Sequence, residues 1–135
     1  MMKHVVFVVG SYYPFFSAVG SCVEKVVSLL KDEFRITVIA AKNNSELECN
    51  EMFNGYSIRR IETSYQKELN SSGARNFKYN FLRKLKIFLI KLVSVLKFLI
   101  RLESIYPDLV DRYFSELKKL NQVDKIDVLI PVVFP

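Results

Sequence analysis

The feature that most constrains the fold is a pair of short, strongly apolar segments separated by a helical pattern. The segments lie at about residues 3–9 and 35–41, and the second lacks the alternation of a half-exposed strand. Between them, valines and a leucine recur at helical spacing, which predicts an amphipathic helix over about residues 19–32. A strand, a helix and a strand in this order predict a parallel β–α–β unit. In such units ligands bind where the carboxyl end of a strand meets the next helix.

Strand and helix patterns alternate along the rest of the chain. The Asn54-Gly55 turn signal precedes a short candidate strand, and Pro107 separates two candidate helices. This alternation predicts an α/β fold with a Rossmann-like, doubly wound and mainly parallel sheet. The further predicted elements are a loop at 43–54, a strand at 56–62, a loop at 65–74, a helix at 76–104, a helix at 108–120 and a strand at 127–130.

Length and composition bound the class of protein. The chain has 135 residues, half of them hydrophobic, which is enough for one domain with a sizeable core. Cys22 and Cys49 have no histidine at metal-ligand spacing and are expected to be reduced thiols in a cytoplasmic protein. His4 lies in the first predicted strand and is expected to be structural. No nucleophile with its base can be assembled, so no catalytic residue, metal site or cofactor is predicted.

The loop after the first strand is the candidate functional site. It combines aromatic side chains, small residues and the start of a helix, whose free N–H groups attract anions such as phosphate. The loop matches neither the dinucleotide fingerprint nor the P-loop. Gly20 is therefore either part of a phosphate site or a residue that permits tight packing of helix on strand, and the aromatics either cover a sugar or serve as hydrophobic cover. The candidate cleft residues are Tyr12, Tyr13, Ser17, Gly20 and Ser21.

The residue types of this opening resemble a known family. An apolar strand ends in a Tyr-Pro turn, a loop with small residues opens a helix, and a second apolar strand follows. The arrangement resembles the start of GT-B glycosyltransferases, and more narrowly the family-4 (group 1) type, which transfers sugars from nucleotide-sugar donors with retention. The segment at 127–130 is similar to the family's strand before the acceptor-side loops. The residues that carry the resemblance are Val5–Val9, Ser11–Pro14, Ser17–Cys22, Val23–Val27 and Arg35–Ile39.

The resemblance implies two Rossmann-like domains that face each other across a cleft. Residues 1–135 would then be a single Rossmann-like domain, the truncated amino-terminal and acceptor-binding half of the enzyme. The nucleotide-sugar pocket and the family's paired-glutamate motif would belong to the second domain, so this chain alone is expected to be inactive. Backbone N–H groups of Gly20 and Ser21 would lie near the diphosphate, and Tyr12 and Tyr13 would shape the acceptor site. A small standalone domain is the alternative.

Positive charge is concentrated in one predicted helix. Residues 75–101 hold eight Lys and Arg and no acid, whereas the remainder has twelve basic and fourteen acidic residues. One side of this helix is an apolar stripe through Leu85, Leu92 and Leu99, and the opposite side mixes cations with large apolar side chains. That mixed side suits the headgroup region of an anionic bilayer. The residues predicted to contact the membrane are Arg83, Lys86, Ile87, Ile90, Lys97, Phe98 and Arg101.

The pattern of this helix also admits interpretations other than membrane contact. The helix could pack on the sheet through its apolar stripe, with its other side against further parts of the protein. The apolar run from Ile87 to Ile100 is short for a membrane span and contains two lysines. Binding of nucleic acid would not require so many exposed aliphatic side chains, so no nucleic-acid partner is predicted.

Two hypotheses follow for function. The first is the acceptor-side domain of a retaining glycosyltransferase that moves a sugar from a nucleotide-sugar donor to a glycan or lipid-linked acceptor in surface-polysaccharide assembly. The alternative is a non-catalytic α/β domain that binds a membrane surface through the helix at 76–104. Both predict a cytoplasmic location with peripheral contact at the inner face of the cell membrane, which under the first hypothesis would follow from a lipid-linked acceptor.

Overall fold

The computed structural model describes residues 2–44, 46–62, 77–101 and 107–132. Within these residues, strands and helices alternate as the sequence predicts. The loop predicted at 65–74 lies outside them. The elements are β1 (His4–Val9), α1 (Ala18–Leu30), β2 (Arg35–Ala41), β3 (Asn50–Phe53), β4 (Tyr56–Ile61), α2 (Phe77–Arg101), α3 (Pro107–Val123) and β5 (Val128–Val132).

The described strands form one five-stranded sheet in the order β3-β4-β2-β1-β5. The pairings of β1 with β2, β1 with β5 and β2 with β4 are parallel, and only β3 runs antiparallel to its neighbour. From β1 the chain adds β2 on one side, and it later adds β5 on the other side. The sheet is therefore α/β and mostly parallel, as predicted, and its order is consistent with a Rossmann-like fold.

Two hydrophobic clusters cover the two faces of the sheet. Val23 and Val27 of α1 are buried against the face that includes Phe7, Val38 and Ile58. Leu120 of α3 is buried on the opposite face with Val6, Ile39 and Ile61. Because both faces are covered, β1 and β2 are apolar at almost every position instead of alternating. Each fully buried aliphatic side chain of these strands contributes about 1.5–3 kcal/mol to folding.

A β-hairpin joins β3 to β4, and the sequence-based prediction of a loop over 43–54 is wrong for residues 50–53, which form β3. Asn54 and Gly55 form the two-residue turn, with φ of 47° and 91°. Two positive φ values are what a type I′ hairpin turn requires, and Asn-Gly is its favoured sequence. The turn was recognised in the sequence, but β3 was not. Its residues Asn50–Phe53 are few and partly polar, so they carry no apolar run.

The amino end of β1 is fixed by polar contacts. His4 is fully buried, and its Nε2 lies 2.9 Å from the Thr37 hydroxyl in the neighbouring strand. The backbone N–H of His4 donates to an Asp127 carboxylate oxygen at 2.8 Å, just before β5. These bonds tie three strands together at the edge opposite the β1–α1 loop, which fits the structural role expected of His4.

The apolar stripe of α2 does not pack on the sheet, so that interpretation of the helix is wrong. α2 contacts mainly α3. Ile87 and Ile90, which were predicted to face a membrane, are half-buried, whereas the stripe is open. Among the α2 side chains that the structure describes, the exposed apolar ones, here called the α2 apolar face, are Leu82, Leu85, Phe88, Leu89, Leu92, Val93, Val95, Leu96, Leu99 and Ile100.

Candidate binding site at the carboxyl edge of the sheet

The β1–α1 loop lies where the direction of chain winding reverses. β1 is the shared neighbour of β2 and β5, which are reached by crossovers on opposite sides. In open α/β sheets the loops at such a point diverge and leave a crevice for ligands. The Tyr113 hydroxyl donates to the Val9 carbonyl at 2.7 Å, and the Ala41 N–H donates to the Gly10 carbonyl at 3.1 Å. The start of the loop is thus fixed from two sides.

Ser17 caps the amino end of α1. Its hydroxyl accepts a hydrogen bond from the Gly20 N–H at 3.0 Å, and its carbonyl accepts one from the Ser21 N–H at 2.9 Å. The two N–H groups that were assigned to a diphosphate are therefore already used, and that prediction is corrected. Among the described residues, the N–H groups of Ala18 and Val19 make no hydrogen bond, and these are the donors that the helix end presents.

Gly20 has a steric role that accounts for its position. The residue is buried, and a Cβ added to it would lie 2.5 Å from the Ser11 carbonyl oxygen. The same carbonyl accepts a hydrogen bond from the Ser17 hydroxyl at 3.3 Å. The first turn of α1 therefore rests directly on the backbone of the loop. Of the two possibilities left open by the sequence, close packing is the one that these contacts describe.

Ser11 organises the remainder of the loop. Its hydroxyl donates to the Phe15 carbonyl at 2.9 Å and accepts from the Asn43 side-chain amide at 2.7 Å. Asn43 follows β2, so the loops after β1 and β2 are bonded to each other. Phe15 and Phe16 project from this structure with exposed fractions of 58% and 38%. Ser17 and Ser21 are exposed beside them.

Tyr12 is a core residue. It is 3% exposed, and its hydroxyl donates to the Glu24 carboxylate of α1. The Tyr56 hydroxyl donates to the same carboxylate oxygen, and the two hydroxyl oxygens lie 3.1 Å apart. Burial, followed by the bond to Glu24, raises the pKa of both tyrosines above the ordinary value of 10.0. Both phenols stay protonated donors, so Tyr12 joins the loop to α1 and β4 and does not line a cleft.

Tyr13 is half-buried at the edge of the same cluster. Its ring stacks on Phe53 of β3, with 4.0 Å between the ring centroids, and meets Phe16 edge-on at 6.0 Å. Of the two tyrosines predicted to shape an acceptor site, Tyr13 is therefore the one whose ring reaches the surface.

Arg60 is a buried cation that sequence analysis missed. Its guanidinium lies 2.6 Å from a Glu51 carboxylate oxygen and donates to the carbonyls of Tyr13 at 3.0 Å and Glu48 at 2.9 Å. The side chain is 1% exposed. The neighbouring Arg59 pairs with Glu116 of α3 on the other face at 2.9 Å. Strand alternation places adjacent arginines on opposite faces, and this was the available signal in the sequence.

The described part of the chain presents a small set of exposed groups at the β1–α1 loop. It contains no group of three or more His, Cys, Asp or Glu side chains that could hold a metal ion. The exposed elements at the loop are two phenylalanine rings, two serine hydroxyls and the free N–H groups of the α1 amino end. Rings stack on sugar faces, and N–H donors with hydroxyls suit a phosphate or a polyol.

The chain matches no protein-family model, no curated protein and no solved structure. The likeness of residues 2–42 to the glycosyltransferase opening therefore rests on sequence alone. Among the described helices, none combines the length and apolarity that crossing a bilayer requires.

Proposed function

We propose that this chain is the acceptor-side domain of a retaining GT-B glycosyltransferase, which moves a sugar from a nucleotide-sugar donor to a glycan or lipid-linked acceptor in surface-polysaccharide assembly. The observation that carries the proposal is the position of the β1–α1 loop at the point where winding reverses. The sequence resemblance of that loop gives the proposal its reaction class. The nucleotide-sugar pocket would belong to a second domain.

The contacts of the loop indicate a different role for each group of its residues. Ser17 and Gly20 shape the amino end of α1, where the N–H groups of Ala18 and Val19 have no hydrogen-bond partner among the described residues. These donors suit the phosphate of a lipid-linked acceptor. Tyr13 and the exposed Phe15 and Phe16 offer rings to a sugar or a prenyl chain. The proposed contribution of this set is to hold the acceptor.

Acceptor binding is tested directly with the isotope-labelled chain by NMR titration. The probes are a short-chain prenyl-diphosphate N-acetylglucosamine and, separately, a UDP-sugar. We expect amide shifts confined to residues 11–21 with the first probe and no saturable shifts with the second. Shifts outside this loop, or none with the lipid-linked sugar, would contradict the proposal.

A single backbone donor can be removed without disturbing the helix. Ala18 is the first residue of α1, a position that tolerates proline, and Ser17 before it has φ −73° and ψ 166°, which a following proline accepts. Ala18→Pro is expected to weaken binding of the lipid-linked probe by about tenfold, the cost of one hydrogen bond to a charged group. The control Ala18→Ser keeps the N–H and is expected to bind as the native chain does. Equal affinity of the two variants for the lipid-linked probe would show that the amino end of α1 does not take part in binding.

A further inference from the structure

The long helix α2 presents an apolar surface where a solvated helix would be polar. Eight positions of the α2 apolar face, including Phe88, Val95 and Ile100, are exposed by 49% or more. Patches of this kind on folded proteins mark contact with another molecule or a membrane. The face is continuous, because at 100° per residue its ten members fall within about half of the helix circumference.

Cations border this face on both sides. By the same angles, Lys84 lies just beyond one edge of the α2 apolar face and Lys86 just beyond the other, and Lys91 follows on the side of Lys84. All three side chains are exposed. A lysine at the edge of an apolar face can lay its methylene stem along that face and extend its ammonium group outward. This is the arrangement of helices that lie in the interfacial plane of a bilayer.

The charge of α2 indicates which kind of partner contacts the α2 apolar face. Its 25 residues contain seven Lys and Arg and no Asp or Glu. A second copy of the chain placed on the same face would bring two such helices together without a compensating acid, which opposes association. An anionic lipid surface supplies apolar contact and negative charge together. The partly buried side of α2, with Ile87 and Ile90, faces the protein, so the open side is available for a surface.

We propose that the α2 apolar face lies on an anionic phospholipid bilayer, with Lys84, Lys86 and Lys91 at the level of the lipid phosphates. The face differs from the one predicted from sequence, of which Ile87 and Ile90 are half-buried and Lys86 is exposed. The side chains of Arg83, Lys97, Phe98 and Arg101 lie outside the part of the structure that is described. The proposal does not rest on the transferase function, since it depends only on α2.

Vesicle co-sedimentation of the whole chain tests the charge requirement. The vesicles are phosphatidylcholine with or without phosphatidylglycerol. We expect binding to the anionic vesicles that weakens with salt, and a loss of about 100-fold or more in partition coefficient when Lys84, Lys86 and Lys91 are all changed to Glu. The matched control changes Lys3, Lys25 and Lys125 to Glu, exposed lysines outside α2, and keeps most of the binding. No binding by the native chain, or equal losses in both triple variants, overturns the proposal.

A tryptophan reporter tests the face itself. The chain has no native Trp, so Leu92→Trp adds a single fluorophore to the α2 apolar face, and Leu29→Trp adds one to the exposed side of α1. Anionic vesicles are expected to shift the emission of the first to the blue and to allow its quenching by brominated lipid, while the second stays unchanged. Equal responses overturn the proposal. So does a lipid-free dimer in sedimentation velocity that Leu92→Glu converts to monomer, because a second copy would then cover the face.

Discussion

Replacing Gly20 with alanine tests whether the candidate loop is held by the close approach of α1. The new Cβ would lie 2.5 Å from the Ser11 carbonyl oxygen, whereas Cβ atoms almost never come within 3.0 Å of another heavy atom. Ser11 cannot simply move away, because its carbonyl and hydroxyl are both hydrogen-bonded within the loop. Relief requires α1 to shift from β1, at the expense of the packing of Val23 and Val27.

The expected magnitude combines two opposing terms. Overpacking of this kind costs about 1–3 kcal/mol, and the better helix propensity of alanine returns up to about 1 kcal/mol. We expect a net loss of about 1–2 kcal/mol in the free energy of unfolding, which corresponds to roughly 4–8 °C in the melting temperature of a domain this size.

The matched control is Gly10→Ala at the start of the same loop. No atom lies within 4 Å of a Cβ added at Gly10, and its φ is not in the left-handed region. Alanine there is expected to be neutral or to stabilise by up to about 1 kcal/mol. Urea denaturation followed by circular dichroism compares the two variants. Equal unfolding midpoints would refute the assignment of Gly20 to close packing.

Two further predictions concern the buried polar groups. In urea denaturation, Arg60→Met is expected to lower the free energy of unfolding by about 3 kcal/mol, because it removes three bonds made by a side chain that is 1% exposed. The control Arg59→Met, at a side chain that is 30% exposed and makes one ion pair, is expected to lower it by less than about 1 kcal/mol. Similar losses would contradict the buried role of Arg60. Burial raises the pKa of Tyr12, Tyr56 and Tyr113 above 10.0, so their contribution to stability is present below pH 10 and falls as pH rises towards the raised values. At about pH 11, phenolate absorbance is therefore expected to increase sharply when urea unfolds the chain. If every tyrosine of the folded chain is already ionised at that pH, the raised pKa values are excluded.

The strands and helices of the described chain were largely predictable because each carries a strong local signal. β2 was placed at 35–41, as observed, since an uninterrupted apolar run admits few alternatives. β3 gave no such signal, because it is four residues long and is held by pairing with β4. Non-local partners of this kind cannot be read from a window of sequence.

The loop chosen as the candidate site lies between β1 and α1, as the sequence predicts, but the contacts of its residues depend on partners distant in sequence. Tyr12 was expected to line the acceptor cleft, and its burial follows from Glu24 and Tyr56, which lie 12 and 44 residues further along the chain. Gly20 was noted as a packing residue or a phosphate ligand, and only the position of the Ser11 carbonyl distinguishes the two. For α2, periodicity identified the apolar stripe but not which side would meet the rest of the protein.

Tyr12 and Tyr56 both donate to the Glu24 carboxylate, so these three positions are expected to change together in evolution. With two phenol hydroxyls donating to one oxygen, loss of the acid leaves two buried hydroxyls with only each other, and loss of one phenol leaves the carboxylate with a single phenol donor. Selection acts on the trio, so substitutions at residues 12, 24 and 56 should appear together in descendants of this sequence. A lineage that replaces Glu24 with an apolar residue is expected to carry phenylalanine at both tyrosine positions.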